Sequence, residues 1–136
     1  MYLLDTNVIS ELRKPQADAN VVSWAKGVIA PRLYISAITL KELETGVLRM
    51  ERRDPAQGKL LRSWLTRHVM PAFEARILPV DAAVALRCAS LHVPDQANES
   101  DALIAATALV HGLTVVTRNV DDFRSSGVAL INPWEQ

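Results

Sequence analysis

Short apolar segments alternate with helical patterns along the chain, and this alternation constrains the fold more than any other feature. Strands are predicted at residues 2–4, 33–35, 77–78, 113–116 and 128–131. Apolar residues at helical spacing lie between them, at residues 7–12, 21–29, 40–52, 56–70, 82–92 and 101–111. Strands that are apolar throughout are typical of a parallel sheet covered by helices on both faces. We therefore predict an α/β fold of three layers, α/β/α, with a short central parallel sheet.

The length and charge of the chain narrow the class of protein. Its 136 residues predict one domain, residues 1–136, that is large enough to bury a substantial core. The 15 Lys and Arg residues balance the 15 Asp and Glu residues, which excludes a strongly basic protein but allows a local basic patch. The longest apolar segment, near residues 102–110, is too short to span a bilayer, so no membrane association is predicted. The single cysteine, Cys88, lies in an apolar helical pattern, so its side chain is expected to be buried. Because it cannot form an intrachain disulfide, a reducing, cytoplasmic setting is expected.

Four polar positions are expected on one edge of the predicted sheet. Asp5 directly follows the first strand, and Asn119 closely follows strand 113–116. Glu42 falls early in the helix after the second strand, and Asp101 opens the helix that leads into strand 113–116. A helix that follows a parallel strand begins at the carboxyl edge of the sheet, which is also where open α/β sheets bind ligands. Whether the four positions meet depends on the strand order, which the spacing does not give.

A cluster of carboxylates on this edge predicts a metal site. Carboxylates a few ångströms apart raise one another's pKa and destabilise the fold unless a cation neutralises them. Hard divalent cations such as Mg²⁺ take oxygen ligands. The sequence therefore predicts an acidic pocket that holds a divalent cation.

Each of the four positions also has a purely structural interpretation. Asp5 could cap the next helix, and Thr39 with Glu42 fits a capping box. Asp101 near a helix N-terminus is favourable with the helix dipole, and Asn119 could be a turn residue. Singly these positions are weak indicators, and their shared edge is the stronger argument.

Other possible sites have less support. The sequence contains neither a nucleophile elbow nor a phosphate-binding glycine loop with lysine. His68, His92 and His111 do not show zinc-ligand spacing, and His111 is expected at the opposite edge of the sheet. Six basic residues spread over two helices are interpreted as a solvated face in preference to a phosphate-contacting surface. They are Arg49, Arg52, Arg53, Lys59, Arg62 and Arg67.

With these residues identified, the chain resembles the PIN-domain ribonucleases, and specifically the VapC-type toxins of bacterial toxin–antitoxin pairs. The segments that carry the resemblance are LLDTNVIS at 3–10, ITLKEL at 38–43, DALIAATA at 101–108, LTVVTRN at 113–119 and NPW at 132–134. Asp5, Glu42 and Asp101 match the acidic triad of the family. The fourth acidic position of the family falls on Asn119, a neutral amide that is taken here as a catalytic position of reduced charge.

The resemblance implies Mg²⁺- or Mn²⁺-dependent cleavage of single-stranded RNA, inhibition by a cognate antitoxin protein, and a homodimer. Asp5 and Asp101 are the expected metal ligands, and Glu42 is expected to bind the metal through water or to orient the nucleophile. Asp121 or Asp122 could supply the missing fourth carboxylate. An antitoxin Arg or Lys is expected to enter the acidic pocket and displace the metal.

Two rival functions use the same fold. A phosphatase or phosphotransfer domain would use Asp5 as its nucleophile, but it requires a second Asp shortly afterwards, where this chain has Asn7. A non-catalytic PIN-like binding module would retain the fold without cleaving RNA. Metal-dependent ribonuclease activity distinguishes the nuclease from both rivals.

Overall fold

The computed structural model describes residues 1–135, in which five parallel strands form a single sheet. The strands are β1 (Tyr2–Leu4), β2 (Leu33–Ser36), β3 (Ile77–Leu78), β4 (Thr114–Val116) and β5 (Leu130–Ile131). Their order across the sheet is β3-β2-β1-β4-β5. The chain therefore moves to one side of β1 first and returns to the other side with β4. The predicted parallel sheet is confirmed.

Helices cover both faces of this sheet. They are α1 (Thr6–Arg13), α2 (Ala19–Lys26), α3 (Ala37–Arg53), α4 (Pro55–Trp64), α5 (Met70–Ala72), α6 (Ala82–Leu91) and α7 (Glu99–His111). Neighbouring residues of one strand point to opposite faces, so Leu3 and Leu4, both fully buried, enter different cores. Leu4 packs with Val8 of α1 and Val47 of α3, whereas Leu3 packs with Ile104 of α7. This arrangement is the predicted three-layer α/β/α fold.

The helix predicted at residues 56–70 is not one regular helix. The α-helix α4 ends at Trp64, and a π-helical turn, Leu65–Val69, joins it to α5. Both Leu65 and Val69 are buried in the core below β1 and β2. The helical path also continues through Pro71, where it was predicted to stop. Pro71 is the second residue of α5 and has no N–H to donate, so the helix passes this position without a hydrogen bond from its nitrogen.

Helices α3 and α4 form a tight hairpin because α4 carries a glycine at their contact. A Cβ atom added to Gly58 would lie 2.4 Å from Cα of Glu51. Arg62 of α4 fixes the same hairpin with a bidentate contact to Glu44, with both distances 2.6 Å, and a longer contact to Glu51. One member of the predicted basic stretch is therefore engaged within the protein. Within residues 1–135, no helix combines the length and the apolarity needed to cross a bilayer.

Candidate functional site

Asp5 lies at the carboxyl end of β1, between that strand and α1, and is almost fully buried. One of its oxygens, Oδ1, accepts a hydrogen bond of 2.8 Å from the N–H of Thr6 and so caps α1. The other, Oδ2, accepts a hydrogen bond of 2.8 Å from the hydroxyl of Thr117. The capping interpretation of Asp5 is therefore correct, but it accounts for only one of the two oxygens.

Thr117 is a residue of this site that the sequence interpretation did not identify. The pairing of Leu4 with Val116 places Asp5 and Thr117 side by side, each directly after its strand. The Thr117 hydroxyl is fully buried and also accepts the N–H of Asn119 at 3.0 Å. The order of the strands reverses between β1 and β4, and such a point is where open α/β sheets form a ligand crevice. The sequence signal that could have identified Thr117 is a polar residue directly after each of two strands.

Glu42 is brought to the site by α3, although its expected capping role is absent. The N-cap of α3 is Ser36, whose hydroxyl accepts the N–H of Ile38 at 3.0 Å, so the capping-box interpretation is wrong. Glu42 lies one turn further along the helix and is exposed. The hydroxyl of Thr6 donates to Glu42 Oε1 at 2.7 Å. Because Thr6 follows Asp5 directly, this hydrogen bond connects the two acidic positions.

Asp101 lies in the first turn of α7, but it does not open the helix as predicted. The helix begins at Glu99 and is capped by Asn98, whose side chain accepts the N–H of Asp101 at 3.1 Å. Burial, together with the negative charges of Asp5, Asp122 and Glu42, raises the pKa of Asp101 to about 6. The helix dipole alone would lower this pKa, so the acidic neighbours and the burial outweigh it.

The same charges act on Asp5. Burial raises its pKa above the ordinary value of 3.8, the hydrogen bonds from Thr117 and Thr6 oppose this, and Glu42 and Asp122 add to the rise. The three acidic residues predicted from the sequence therefore share one electrostatic environment. The rises in the pKa values of Asp5 and Asp101 have the sign that burial and neighbouring carboxylates produce.

The region after β4 contains two aspartates, Asp121 and Asp122, whose surroundings differ. The charge of Asp122 raises the pKa of both Asp5 and Asp101. Asp121 instead pairs with Arg124 at 2.7 Å, and its side chain is 88% exposed. Asn119 contributes through its main chain, which donates to Thr117 and begins the turn Val120–Asp122. Within residues 1–135, the Asn119 side chain makes no hydrogen bond, so its amide is not joined to the carboxylates.

Basic and aromatic groups lie beside the acidic cluster. The guanidinium of Arg118 lies over the ring of Trp134, 5.4 Å from the ring centre. The main-chain N–H of Arg118 donates to Oδ1 of Asn7 at 3.4 Å. A groove of about 220 Å³ begins at Glu42 and runs between α1, α3 and α4. It is lined by Thr6, Ser10, Arg13, Lys14, Glu42, Leu43, Gly46, Leu61 and Trp64.

The donor set of the acidic cluster suits a divalent cation. All of its ligand atoms are carboxylate oxygens, the type that Mg²⁺ and Mn²⁺ prefer, and their crowding leaves negative charge for a cation to neutralise. The oxygens of Asp5, Glu42 and Asp101 do not all lie within 4.8 Å of one another. Hydrogen bonds from Thr117 and Thr6 orient the carboxylates of Asp5 and Glu42, respectively.

Comparisons with known proteins agree with this architecture. Residues 2–127 match the PIN domain family. The chain is 40% identical to Toxin FitB of Neisseria gonorrhoeae, over 98% of this chain and 99% of that protein. It is 38% identical to VapC ribonuclease Y4jK of Sinorhizobium fredii, over 99% of both. The crystal structure of FitAcB from Neisseria gonorrhoeae superposes with a TM-score of 0.93 at 39% identity, covering 100% of each chain.

These matches extend over the whole of the chain that carries the sheet, its helices and the acidic cluster. Similarity of this extent and level identifies the fold and the family together, as the resemblance of the acidic segments indicated. The chain belongs to the PIN domain family.

Proposed function

We propose that this protein is an endoribonuclease that cleaves single-stranded RNA and serves as the toxin of a toxin–antitoxin pair. The observation that carries the proposal is the convergence of Asp5, Glu42 and Asp101 at the strand-order reversal, with pKa values of Asp5 and Asp101 raised by their shared burial and charge. Full-length similarity to one protein named a toxin and another named a ribonuclease supports the activity.

Asp5 and Asp101 are proposed to hold a divalent ion, Mg²⁺ or Mn²⁺. When bound, such an ion lowers the pKa of a water and neutralises charge on the scissile phosphate. Thr117 opposes the rise in the pKa of Asp5 that burial causes and fixes the orientation of the carboxylate, because a donated hydrogen bond stabilises the ionised form. Glu42 is exposed and is held by Thr6 through one oxygen, so its second oxygen is available to orient an attacking water. Asp122 adds the carboxylate that Asn119 does not provide.

The surroundings of Asp5 disfavour the phosphotransfer alternative. Asn7 occupies the position where that chemistry requires a second Asp, and its side-chain amide faces Asp5 Oδ2 at 3.4 Å instead.

Arg118 is the proposed contact for the RNA backbone near the site. A negatively charged pocket repels RNA, so cationic groups outside the pocket must supply the attraction. Arg118 is exposed, follows Thr117 directly, and is oriented by its stacking on Trp134. By contrast, Arg62 of the basic stretch is paired with Glu44 and Glu51 and is not proposed as a phosphate contact.

The groove between α1, α3 and α4 is the proposed docking site for the cognate antitoxin. Its floor is apolar where Leu43 of α3 and Leu61 and Trp64 of α4 face it. It opens at Glu42, so an antitoxin Arg could reach the carboxylates and pair with them bidentately. We further propose that the protein acts in the cytoplasm, where its RNA substrate is, and forms a homodimer.

Incubation of the purified, antitoxin-free protein with single-stranded RNA and Mg²⁺ or Mn²⁺ tests the function. We expect cleavage that EDTA abolishes, and a loss of at least about 100-fold in the Asp101→Asn variant. Asp121→Asn is the matched control, because Asp121 lies one residue from Asp122 but pairs with Arg124 outside the cluster. Equal cleavage by the parent and Asp101→Asn would reject the proposed site. Absence of cleavage by the folded parent with either metal would reject the nuclease in favour of a binding module.

A further inference from the structure

A second group of potential metal ligands lies between α6 and α7. Cys88 is in the last turns of α6, His92 is the C-cap residue of that helix, and Glu99 is the first residue of α7. His92 Nε2 lies 3.7 Å from Cys88 Sγ and 2.8 Å from Glu99 Oε2. One ligand atom from each of the three residues lies within 4.8 Å of the other two, and no other group of three in residues 1–135 meets this spacing.

We propose that Cys88, His92 and Glu99 bind a transition-metal ion, with Zn²⁺ as the best fit. A thiolate, an imidazole nitrogen and a carboxylate oxygen are the three ligand types that Zn²⁺ takes, and water completes a tetrahedral site with three protein ligands. Mg²⁺ selects oxygen ligands and is disfavoured by sulfur and imidazole nitrogen. This site is therefore chemically distinct from the carboxylate cluster of Asp5, Glu42 and Asp101.

The local structure explains why the three side chains meet. Cys88 and His92 are four residues apart, which places them on one face of α6 at its C-terminal end. The loop of residues 93–98 then returns the chain so that Glu99 faces the same point. Chain spacing among the three histidines does not reveal this group, because only His92 takes part in it.

The group has a closed apolar side and an open polar side. Cys88 is 3% exposed and packs with Val84, Ala102 and Ala106. The Glu99 side chain is 68% exposed. An ion could therefore enter past Glu99 and bind the thiolate against an apolar wall, and a water molecule would have room on the Glu99 side.

Metal binding requires a change at His92. The N–H of Ala97 donates to Nδ1 at 3.1 Å, so in the metal-free protein Nε2 carries the ring proton and donates it to Glu99. A metal at Nε2 displaces this proton, Nδ1 then takes one, and the Ala97 N–H must turn to another acceptor. The cost is one hydrogen bond in the loop that connects the two helices, together with release of the thiol proton of Cys88.

The expected consequence is a firmer connection between α6 and the start of α7. Asp101 lies two residues after Glu99, so an ion at this group would also restrain the backbone that positions Asp101. Ligand binding to the native state raises its stability by mass action. The proposal requires no change in the activity assigned to the acidic cluster, so it can fail while the nuclease proposal stands.

Titration of the purified full-length protein with Co²⁺, followed by competition with Zn²⁺, tests the proposal. We expect a thiolate-to-cobalt charge-transfer band that saturates with added Co²⁺ and is abolished by Zn²⁺. Cys88→Ala should lose the band, and Glu99→Gln should weaken Co²⁺ binding at least about tenfold. Asp101→Asn should keep the band, because cobalt bound to carboxylates alone gives no thiolate transition.

A melting experiment provides the second measurement. Zn²⁺ should raise the melting temperature of the parent and of Asp101→Asn, and it should not raise that of Glu99→Gln to the same extent. Because Glu99 is exposed, we expect Glu99→Gln to preserve the fold. This variant therefore tests metal binding even if Cys88→Ala unfolds. Absence of the charge-transfer band in the parent, or equal Co²⁺ affinity in the parent and Glu99→Gln, would overturn the proposal.

Discussion

Replacement of Asp101 by Asn should stabilise the protein at neutral pH in the absence of divalent metal. Burial and three negative neighbours raise the pKa of Asp101 from 3.8 to about 6. A difference of this size corresponds to about 3 kcal/mol for a fully buried group. Asp101 is only half-buried, and screening by solvent reduces the figure to ~1–2 kcal/mol. For a domain of this length, that is a rise in melting temperature of roughly 4–8 °C.

The pH dependence of this gain follows from the sign of the shift. Because the folded protein binds the Asp101 proton more tightly than the unfolded chain does, stability is lost as pH rises from 3.8 through about 6. Above that range the parent bears the full cost of the Asp101 charge and the Asn variant bears none. Below the lower value, both states of the parent are protonated, so the difference between parent and variant should disappear.

Urea unfolding of both proteins at a series of pH values, in EDTA, measures this difference directly. The gain in free energy of unfolding should be present at neutral pH and should decline toward about pH 4. Asp121→Asn, an exposed and ion-paired carboxylate, should change stability by less than about 0.5 kcal/mol. A variant that is less stable than its parent at neutral pH, or a gain that does not vary with pH, would refute the reasoning.

Three further predictions rest on single contacts. Gly58→Ala should lower the free energy of unfolding, measured with urea, by at least about 2 kcal/mol, because the added Cβ would overlap the Glu51 backbone. Gly46→Ala should raise it by about 0.5–1 kcal/mol, because no atom lies within 4 Å of the added Cβ and alanine favours the helix. Thr117→Val should reduce RNA cleavage and raise the pKa of Asp5, measured by NMR titration, because the donated hydrogen bond is lost; an unchanged pKa would contradict this. Mg²⁺ or Mn²⁺ should raise the melting temperature near neutral pH, and this gain should decline on acidification through about pH 6, where Asp101 takes up a proton; an undiminished gain at about pH 5 would contradict Asp101 as a ligand.

The convergence of the acidic positions could be predicted from the sequence because it depends on topology alone. Each position lies just after a strand or early in a helix, and the parallel arrangement sends all of these points to one edge of the sheet. The burial of Cys88 was also predictable, since it depends on the apolar pattern of neighbouring residues in the helix. These features need only local pattern and the hand of the connections.

Contacts that depend on strand order could not be predicted in this way. Thr117 meets Asp5 because β4 lies beside β1, an adjacency between residues more than a hundred positions apart. The choice of Ser36 over Thr39 as the cap of α3 was also hidden. Both are hydroxyl residues, and the difference is that Ser36 ends β2 with extended backbone angles whereas Thr39 is buried within the helix. Likewise, Asp121 and Asp122 are equivalent in sequence, and only the turn that holds them sends one to Arg124 and the other toward Asp101.

The two proposed metal ligands, Asp5 and Asp101, differ in how their surroundings stabilise the ionised carboxylate. Asp5 is more buried, but hydrogen bonds from Thr117 and Thr6 stabilise its ionised form. For Asp101, burial is the largest of the contributions that raise the pKa, three negative neighbours add to it, and none of the contributions lowers the pKa. We therefore expect protons to compete with a divalent cation more strongly at Asp101 than at Asp5. The Thr117 hydroxyl favours the ionised form of Asp5, whereas no hydrogen bond lowers the pKa of Asp101, so the charge of Asp101 is expected to depend more on a bound cation.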